Sequence, residues 1–241
     1  MTAQYHWDLI QRTDEWYQMR LGLLTASTMH LILTPTLKIA NNDKTRAHLY
    51  ELVAQRATDF VEDTYQSFDM ERGCIEENYA KDLYSANKAR IRDCGFVTNE
   101  IEGFTVGFSP DGMVGDDGFV EIKSRKQKLQ VKTIIENDVP KDDILQVQTG
   151  LAVCDDRKWG DFISYSNGMP MFITRVNPDD VIIAAIKEAV VDFEEKAAKH
   201  LETYLDRTTD MIMAPRREID FGDEIKPSHD KAINCITGEV S

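Results

Sequence analysis

Phe108-Ser109-Pro110-Asp111-Gly112, followed by Val120-Glu121-Ile122-Lys123, is the stretch on which the reading of this chain turns. Pro110 and Gly112 are turn formers and both segments carry apolar or β-rich residues, so one strand enters a turn and a second returns beside it. Glu121 stands ten positions after Asp111, which lets the two carboxylates meet at adjacent strand ends. Glu121 and Lys123 are two apart on one strand and therefore point to the same face. Two carboxylates and an ammonium then share one small site. With a carbonyl or water oxygens they form a hard, oxygen-only pocket, which suits Mg²⁺ or Mn²⁺ better than zinc. Such an ion lowers the pKa of a bound water and holds a scissile phosphate. Lys123 would orient the attacking water and offset charge on phosphorus. Taken alone, the same residues also read as a turn and a solvated strand face.

Working outward, Thr13-Asp14-Glu15 ahead of Trp16, Tyr17 and Met19 reads as a capped short helix stopped at Gly22. A second short helix starts near Ser27. Leu49, Leu52, Val53 and Ala57 form a helical stripe within 43–60, and 70–90 continues the helical character. Short runs at 95–98, 104–108 and 119–122 read as a strand meander. A helix over 142–153, strands at 159–165 and 171–176, and a long helix over 178–206 follow. The apolar stripe of that last helix, from Ile182 to Leu201, is a packing face. The chain thus divides into a helical region over about 1–92, a sheet core over about 93–176 and the long helix, together one domain over 1–210. Residues 211–241, with scattered charge and little periodicity, read as an extended or mobile tail.

Composition sets limits. The 241 residues are 42% hydrophobic, enough for a buried core. The charged first twenty residues lack the apolar run of a secretory signal, and 181–191 is interrupted by Lys187 and Glu188, far short of a membrane span. The expectation is a soluble, cytoplasmic protein without a membrane role. Cys74, Cys94, Cys154 and Cys235 include no close pair, which argues against a zinc site or a disulfide framework. The net charge of -14 runs against phosphate binding, yet 121–132 holds five basic residues and one acid. Arg125, Lys126 and Lys128 in that segment are candidates for holding phosphates. Trp16 and Tyr17 read as packing residues before stacking ones, and His30 as a packed or capping side chain.

Further segments bring the ambiguous strand pair into company. Gly73 with Glu76-Glu77-Asn78 puts carboxylates on a helix, and Gln146-Val147-Gln148 puts amides on another. Together with Arg20-Leu21-Gly22, Thr25-Ala26-Ser27, Ser109-Pro110-Asp111-Gly112 and Glu121-Ile122-Lys123, they resemble the phage lambda exonuclease family. This is the YqaJ-like viral recombinase and alkaline exonuclease group of the PD-(D/E)XK superfamily. The ordered motifs, covering roughly residues 7 to 206, are specific as a set although each is short.

The resemblance implies an α/β, restriction-endonuclease-like core with a mixed central β-sheet flanked by helices and an N-terminal helical region. It implies catalysis by Asp111, Glu121, Lys123, Glu77 and Gln146. Two Mg²⁺ ions, with Mn²⁺ as a substitute, would sit on Asp111, Glu121, the Ile122 carbonyl and Glu77, the last directly or through water. Arg20 and Ser27, with Ser109, would grip a 5′ phosphate. The implied activity is 5′-to-3′ digestion of linear double-stranded DNA, leaving 3′ overhangs for a single-strand annealing protein, by a homotrimeric ring. The chain departs from the family where its second phosphate-binding arginine belongs: the segment reads Thr36-Leu37-Lys38, with Lys38 and Arg46 as nearby cations. A restriction or repair endonuclease with the same core would not depend on a DNA end, and a silent DNA-binding module would not need the intact Asp111, Glu121 and Lys123. The related iron–sulfur exonucleases need clustered cysteines, which are absent.

Overall fold

The computed structural model describes residues 2–62 and 68–217. The site is positioned by two mixed sheets. Four strands, β1 (Gln4–His6), β2 (Leu24–Thr25), β4 (Phe96–Ile101) and β5 (Phe104–Phe108), pair in the order β1-β4-β5-β2. The other five, β3 (Ile91–Arg92), β6 (Gly112–Val114), β7 (Gly118–Ser124), β8 (Trp159–Tyr165) and β9 (Phe172–Val176), run β3-β6-β7-β8-β9. β2 is parallel to β5 and β7 to β8, and the remaining pairs are antiparallel. A parallel neighbour needs a crossover, and β7 reaches β8 through α5 (Gln127–Glu136) and α6 (Lys141–Val153).

The remaining helices are α1 (Asp14–Arg20), α2 (Met29–Ile32), α3 (Asp43–Thr58), α4 (Phe68–Asn87) and α7 (Asp180–Thr208). Side-chain caps start several of them: Thr13 accepts from Trp16 N–H, Asn42 from Lys44 and Thr45, and Asp179 from Val181 and Ile182. The larger apolar core lies between the first sheet, α6 and α7. There Phe108 of β5 and Phe119 of β7 meet edge to face with centroids 4.9 Å apart, joining the two sheets. A Cβ on Gly150 would lie 2.8 Å from Phe108, so glycine lets α6 approach this closely. On the other face of the second sheet, α4 lays Ala80 and Tyr84 against Val120, Ile122 and Ile163. The period of two in β7 therefore sends Val120 and Ile122 toward α4, and Phe119 and Glu121 toward α6.

The α/β architecture with mixed strands flanked by helices is as expected, with three differences. The region over 1–92 is not purely helical, because β1, β2 and β3 lie in it. These strands are two or three residues long, too short for an alternating pattern to register. The runs over 95–122 do not form one meander: the chain leaves the first sheet after Phe108 and enters the second at Gly112. Ser109-Pro110-Asp111 is the link between sheets. The third difference is α5, a helix the sequence reading did not include: the basic segment closes β7 and opens α5 at Gln127. Of the expected tail, 211–217 has no helix or strand, and 218–241 lies outside the described residues.

Candidate active site

Gly112 pairs with Val120, so the residue before one and the residue after the other, Asp111 and Glu121, are neighbours across the strand ends. Asp111 is tethered there: its Oδ2 accepts the Ile122 N–H at 2.5 Å. Glu121 is 2% exposed. Its Oε1 accepts from Lys123 Nζ at 2.8 Å and from Gln146 Nε2 at 2.6 Å. Gln146 Oε1 accepts a bond from the same Nζ, also at 2.8 Å. Glu121, Lys123 and Gln146 thus form a closed triangle across β7 and α6. The second carboxylate oxygen of Glu121, Oε2, is buried and has no hydrogen-bond partner among the described residues.

The electrostatics are those of charges gathered out of water. Burial raises the Asp111 carboxyl well above the usual range, and Glu121 and Glu77 add to the shift against the opposing cations Lys123 and Lys81. Burial likewise raises Glu121, partly offset by Lys123. Burial works against the Lys123 ammonium, but Glu121 and Asp111 outweigh it, and its pKa is raised. Lys123 therefore stays a cation. An anion pair with one oxygen left bare is an arrangement that a divalent cation relieves, and the donor chemistry is all oxygen. Among the described residues no three His, Cys, Asp or Glu side chains form a ready metal group. Any ion on this pair would need carbonyl or water oxygens as well, a coordination Mg²⁺ accepts.

Glu77 of α4 borders the cluster. It accepts from Arg12 at 3.1 Å and pairs with Lys81 at 2.9 Å. Burial disfavours the Lys81 ammonium, but Glu77 and Asp111 together outweigh it, raising its pKa. Asp143, at the start of α6, is held by Arg125. Burial raises its carboxyl despite that partner, and it adds to the fields on Glu121 and Lys123. Arg12, Lys81 and Asp143 were not singled out from sequence. Lys81 carried a signal, four positions after Glu77 on a helix; Arg12, with a left-handed φ of 71°, carried none.

A second cluster stands at the end of β5. Arg20, the last residue of α1, donates to Ser109 Oγ at 2.9 Å, and Trp16 Nε1 donates to the same oxygen at 3.1 Å. The guanidinium lies 4.2 Å from the Trp16 ring centroid. Burial pushes Arg20 down to about 10, which still leaves it charged at neutral pH. Among the described residues it makes no ion pair with a carboxylate. Ser27 is exposed, just past β2, and its Oγ lies 3.2 Å from Thr25 Oγ1. The β2–β5 register matches Thr25 to Gly107, so Ser27 and Ser109 follow neighbouring strand ends; among the described residues no hydrogen bond joins Ser27 to Arg20. Arg46 is held by Asn41 and Asp43, and Lys38 lies exposed in a turn. Of the basic segment, Lys126 pairs with Asp69 at 2.8 Å, Arg125 is committed to Asp143, and Lys128 is exposed. Gln148 caps the turn before α7, bonding Asn177 and Asp179.

The comparisons put this fold among nucleases of the phage recombination class. The chain belongs to the YqaJ-like viral recombinase domain family, which matches residues 15–157. It is similar to an alkaline exonuclease (LHK-Exo) from Laribacter hongkongensis, with 31% identity over 81% of this chain and 97% of that one, and a TM-score of 0.71. The same exonuclease in complex with dAMP matches at 29% identity over 83% and 100% of the two chains, with a TM-score of 0.73. A phage-related exonuclease from Haemophilus somnus 129PT shares the fold at 12% identity over 76% and 96%, with a TM-score of 0.55. No curated protein matches the chain. No helix among the described residues is long and apolar enough to cross a membrane.

Proposed function

We propose that this chain is a PD-(D/E)XK exonuclease that, with bound Mg²⁺, degrades one strand of linear duplex DNA from a 5′-phosphorylated end. It leaves 3′ overhangs for a single-strand annealing partner in the cytoplasm of a bacterial host. The observation that carries the direction is Arg20: a mostly buried guanidinium bonded to a serine hydroxyl, with no carboxylate partner among the described residues, one strand end from the acidic pair. A planar fork without its counter-anion is suited to a terminal phosphate dianion, with Ser109 and Ser27 donating to the remaining oxygens. A phosphate held there brings the first phosphodiester toward Asp111 and Glu121. Each cut exposes a new 5′ phosphate, so the same pocket favours movement in one direction.

Asp111, Glu121 and the Ile122 carbonyl would hold the first of two Mg²⁺ ions, with Mn²⁺ as a substitute and Glu77 assisting directly or through water. When bound, the ions supply an activated water and charge neutralisation at the leaving oxygen. The bare Glu121 Oε2 supports this assignment. Lys123, held by Glu121 and Gln146, orients the attacking water and stabilises negative charge at phosphorus. That a relative was solved in complex with dAMP supports nucleotide binding by this chain. Lys126 and Lys128 would follow the phosphate backbone; Arg125 would do so only by leaving Asp143.

A homotrimer is the proposed assembly. It is supported by α5, whose inward residues are the polar Gln130 and Thr133 while Leu129, Val131 and Ile135 face outward, the last 77% exposed. The test is incubation with Mg²⁺ or EDTA of linear duplexes bearing 5′-phosphate or 5′-hydroxyl ends, and of a closed circle, with the products sequenced. Expected are Mg²⁺-dependent recession of 5′-phosphorylated strands and an intact circle. Cutting of the circle at a comparable rate, or recession of 3′ ends, would overturn the reading.

A further inference from the structure

The turn that carries the chain from Arg20 toward Ser27 is held from outside the site. Gly22 in that turn has a left-handed φ of 65°. Its N–H donates to Gln55 Oε1 at 2.8 Å, and its carbonyl accepts from Arg56 Nε at 2.8 Å. Both of its backbone polar groups therefore end on α3. The terminal nitrogens of Arg56 reach α7, where they donate to the two Glu194 oxygens at 2.7 and 2.8 Å. Glu194 is 4% exposed, so its charge depends on this bidentate partner. A Cβ on Gly22 would stand 2.8 Å from Arg56 Cγ, leaving no room for a larger residue.

The consequence reaches the phosphate pocket through the chain. Leu23 N–H bonds the Arg20 carbonyl at 3.0 Å, so the turn and the last residue of α1 are one unit. Downstream of the turn, β2 runs beside β5 and delivers Ser27 next to the strand end that carries Ser109. A shift of Gly22 thus moves Arg20 relative to its hydroxyl partner.

We propose that Arg56 is a positioning residue for end recognition: clamped by Glu194, it fixes the Gly22 turn and thereby the Arg20–Ser109 arrangement that selects a terminal phosphate. This rests on the reading of Arg20 as the phosphate ligand. Only a guanidinium serves, because one planar fork must satisfy two carboxylate oxygens while a third N–H takes the Gly22 carbonyl; a lysine ammonium lacks that geometry.

The test uses the full chain with Mg²⁺, comparing initial rates on 5′-phosphorylated and 5′-hydroxyl duplex ends for wild type, Arg56→Lys, Glu194→Gln and Arg20→Ala. Melting temperatures are measured alongside. Expected are folded Arg56→Lys and Glu194→Gln proteins with unchanged rates on 5′-hydroxyl ends. Their phosphate-to-hydroxyl rate ratio should fall by about an order of magnitude, as a modest misplacement does. Adding Arg56→Lys to Arg20→Ala should lower that ratio no further. Should Arg56→Lys fail to fold, Glu194→Gln, which keeps size and loses only charge, carries the same comparison. A lower melting temperature with the wild-type ratio kept would reduce the pair to a fold-holding ion pair and overturn the inference. A wild type indifferent to the end would remove the pocket reading itself, and the inference with it.

Discussion

Replacing Gln146 by methionine tests how much of the chemistry depends on holding Lys123 still. Gln146 contributes two bonds to charged groups, accepting from Lys123 at 2.8 Å and donating to Glu121 at 2.6 Å. Methionine keeps the length of the side chain and removes both. A hydrogen bond to a charged group contributes about 1.5–3 kcal/mol. The direct Lys123–Glu121 pair at 2.8 Å remains and keeps the ammonium in the site. The net loss should then be about one such bond, or roughly 10- to 160-fold in rate. Removing the ammonium itself with Lys123→Ala should cost more, about 3–4 kcal/mol. Single-turnover cleavage of a 5′-phosphorylated duplex with Mg²⁺ measures the chemical step, and fluorescence anisotropy with Ca²⁺ in its place measures DNA affinity. The expected order of rates is wild type, then Gln146→Met, then Lys123→Ala, at nearly constant affinity. A Gln146→Met rate within about twofold of wild type, or a loss of affinity matching the loss of rate, would refute the argument.

The other predictions concern the metal pair, the pocket and the assembly. Asp111→Asn and Glu121→Gln should be folded and nearly inactive. The metal-free melting temperature of Asp111→Asn should equal or exceed that of wild type, because burial and the neighbouring carboxylates disfavour its ionised form. Added Mg²⁺ should raise the melting temperature of wild type and not of these variants, which thermal melts with and without the ion will read. Arg20→Ala should erase any preference for 5′-phosphorylated over 5′-hydroxyl ends while leaving Mg²⁺ stabilisation intact, measured by initial rates on the two substrates. Light scattering on the purified protein should give a mass near three chains, and a strict monomer would exclude the ring.

What the sequence made legible follows from the range of the interactions involved. Asp111, Glu121 and Lys123 were readable as neighbours because a hairpin is local and strand alternation fixes faces over two residues. The long helix and β8 were readable because their periodic or apolar runs are long. Gln146 lies 25 positions beyond Glu121, on a helix whose docking is set by a bare Gly150 against Phe108 and Phe119. Only the family resemblance brought it into the site. β1 and β2 were missed because two or three residues carry no pattern; their place comes from pairing with β4 and β5, with partners such as Gln4 and Thr98 or Leu24 and Val106 far apart in the chain. The Arg56–Glu194 pair spans 138 positions and leaves no mark in either helix.

The basic segment shows why counting charge along a chain misjudges its field. Its five cations suggested a phosphate track, but four have carboxylates beside them. Arg125 stands with Asp143, Lys126 with Asp69, and Lys132 with Glu136 at 3.8 Å. Lys123 is bound to Glu121. Of these pairs, the Lys126 and Lys132 ones are solvent-exposed, and such pairs contribute ~0–1 kcal/mol, so a DNA phosphate can displace the carboxylate at little cost. The Arg125–Asp143 pair is mostly buried, with side-chain exposures of 21% and 12%. Parting it would strand Asp143 beside Glu121, where its field already raises the Glu121 carboxyl. Arg125 thus helps hold α6, and with it Gln146, against β7. With Lys123 and Arg125 committed to buried carboxylates and a net charge of -14, only Lys126, Lys128 and Lys132 of this segment are available to a phosphate backbone. On the proposed reading of Arg20 as the ligand of a terminal phosphate, that guanidinium, without a carboxylate among the described residues, would carry a larger share of recognition and favour engagement at an end over capture along the helix.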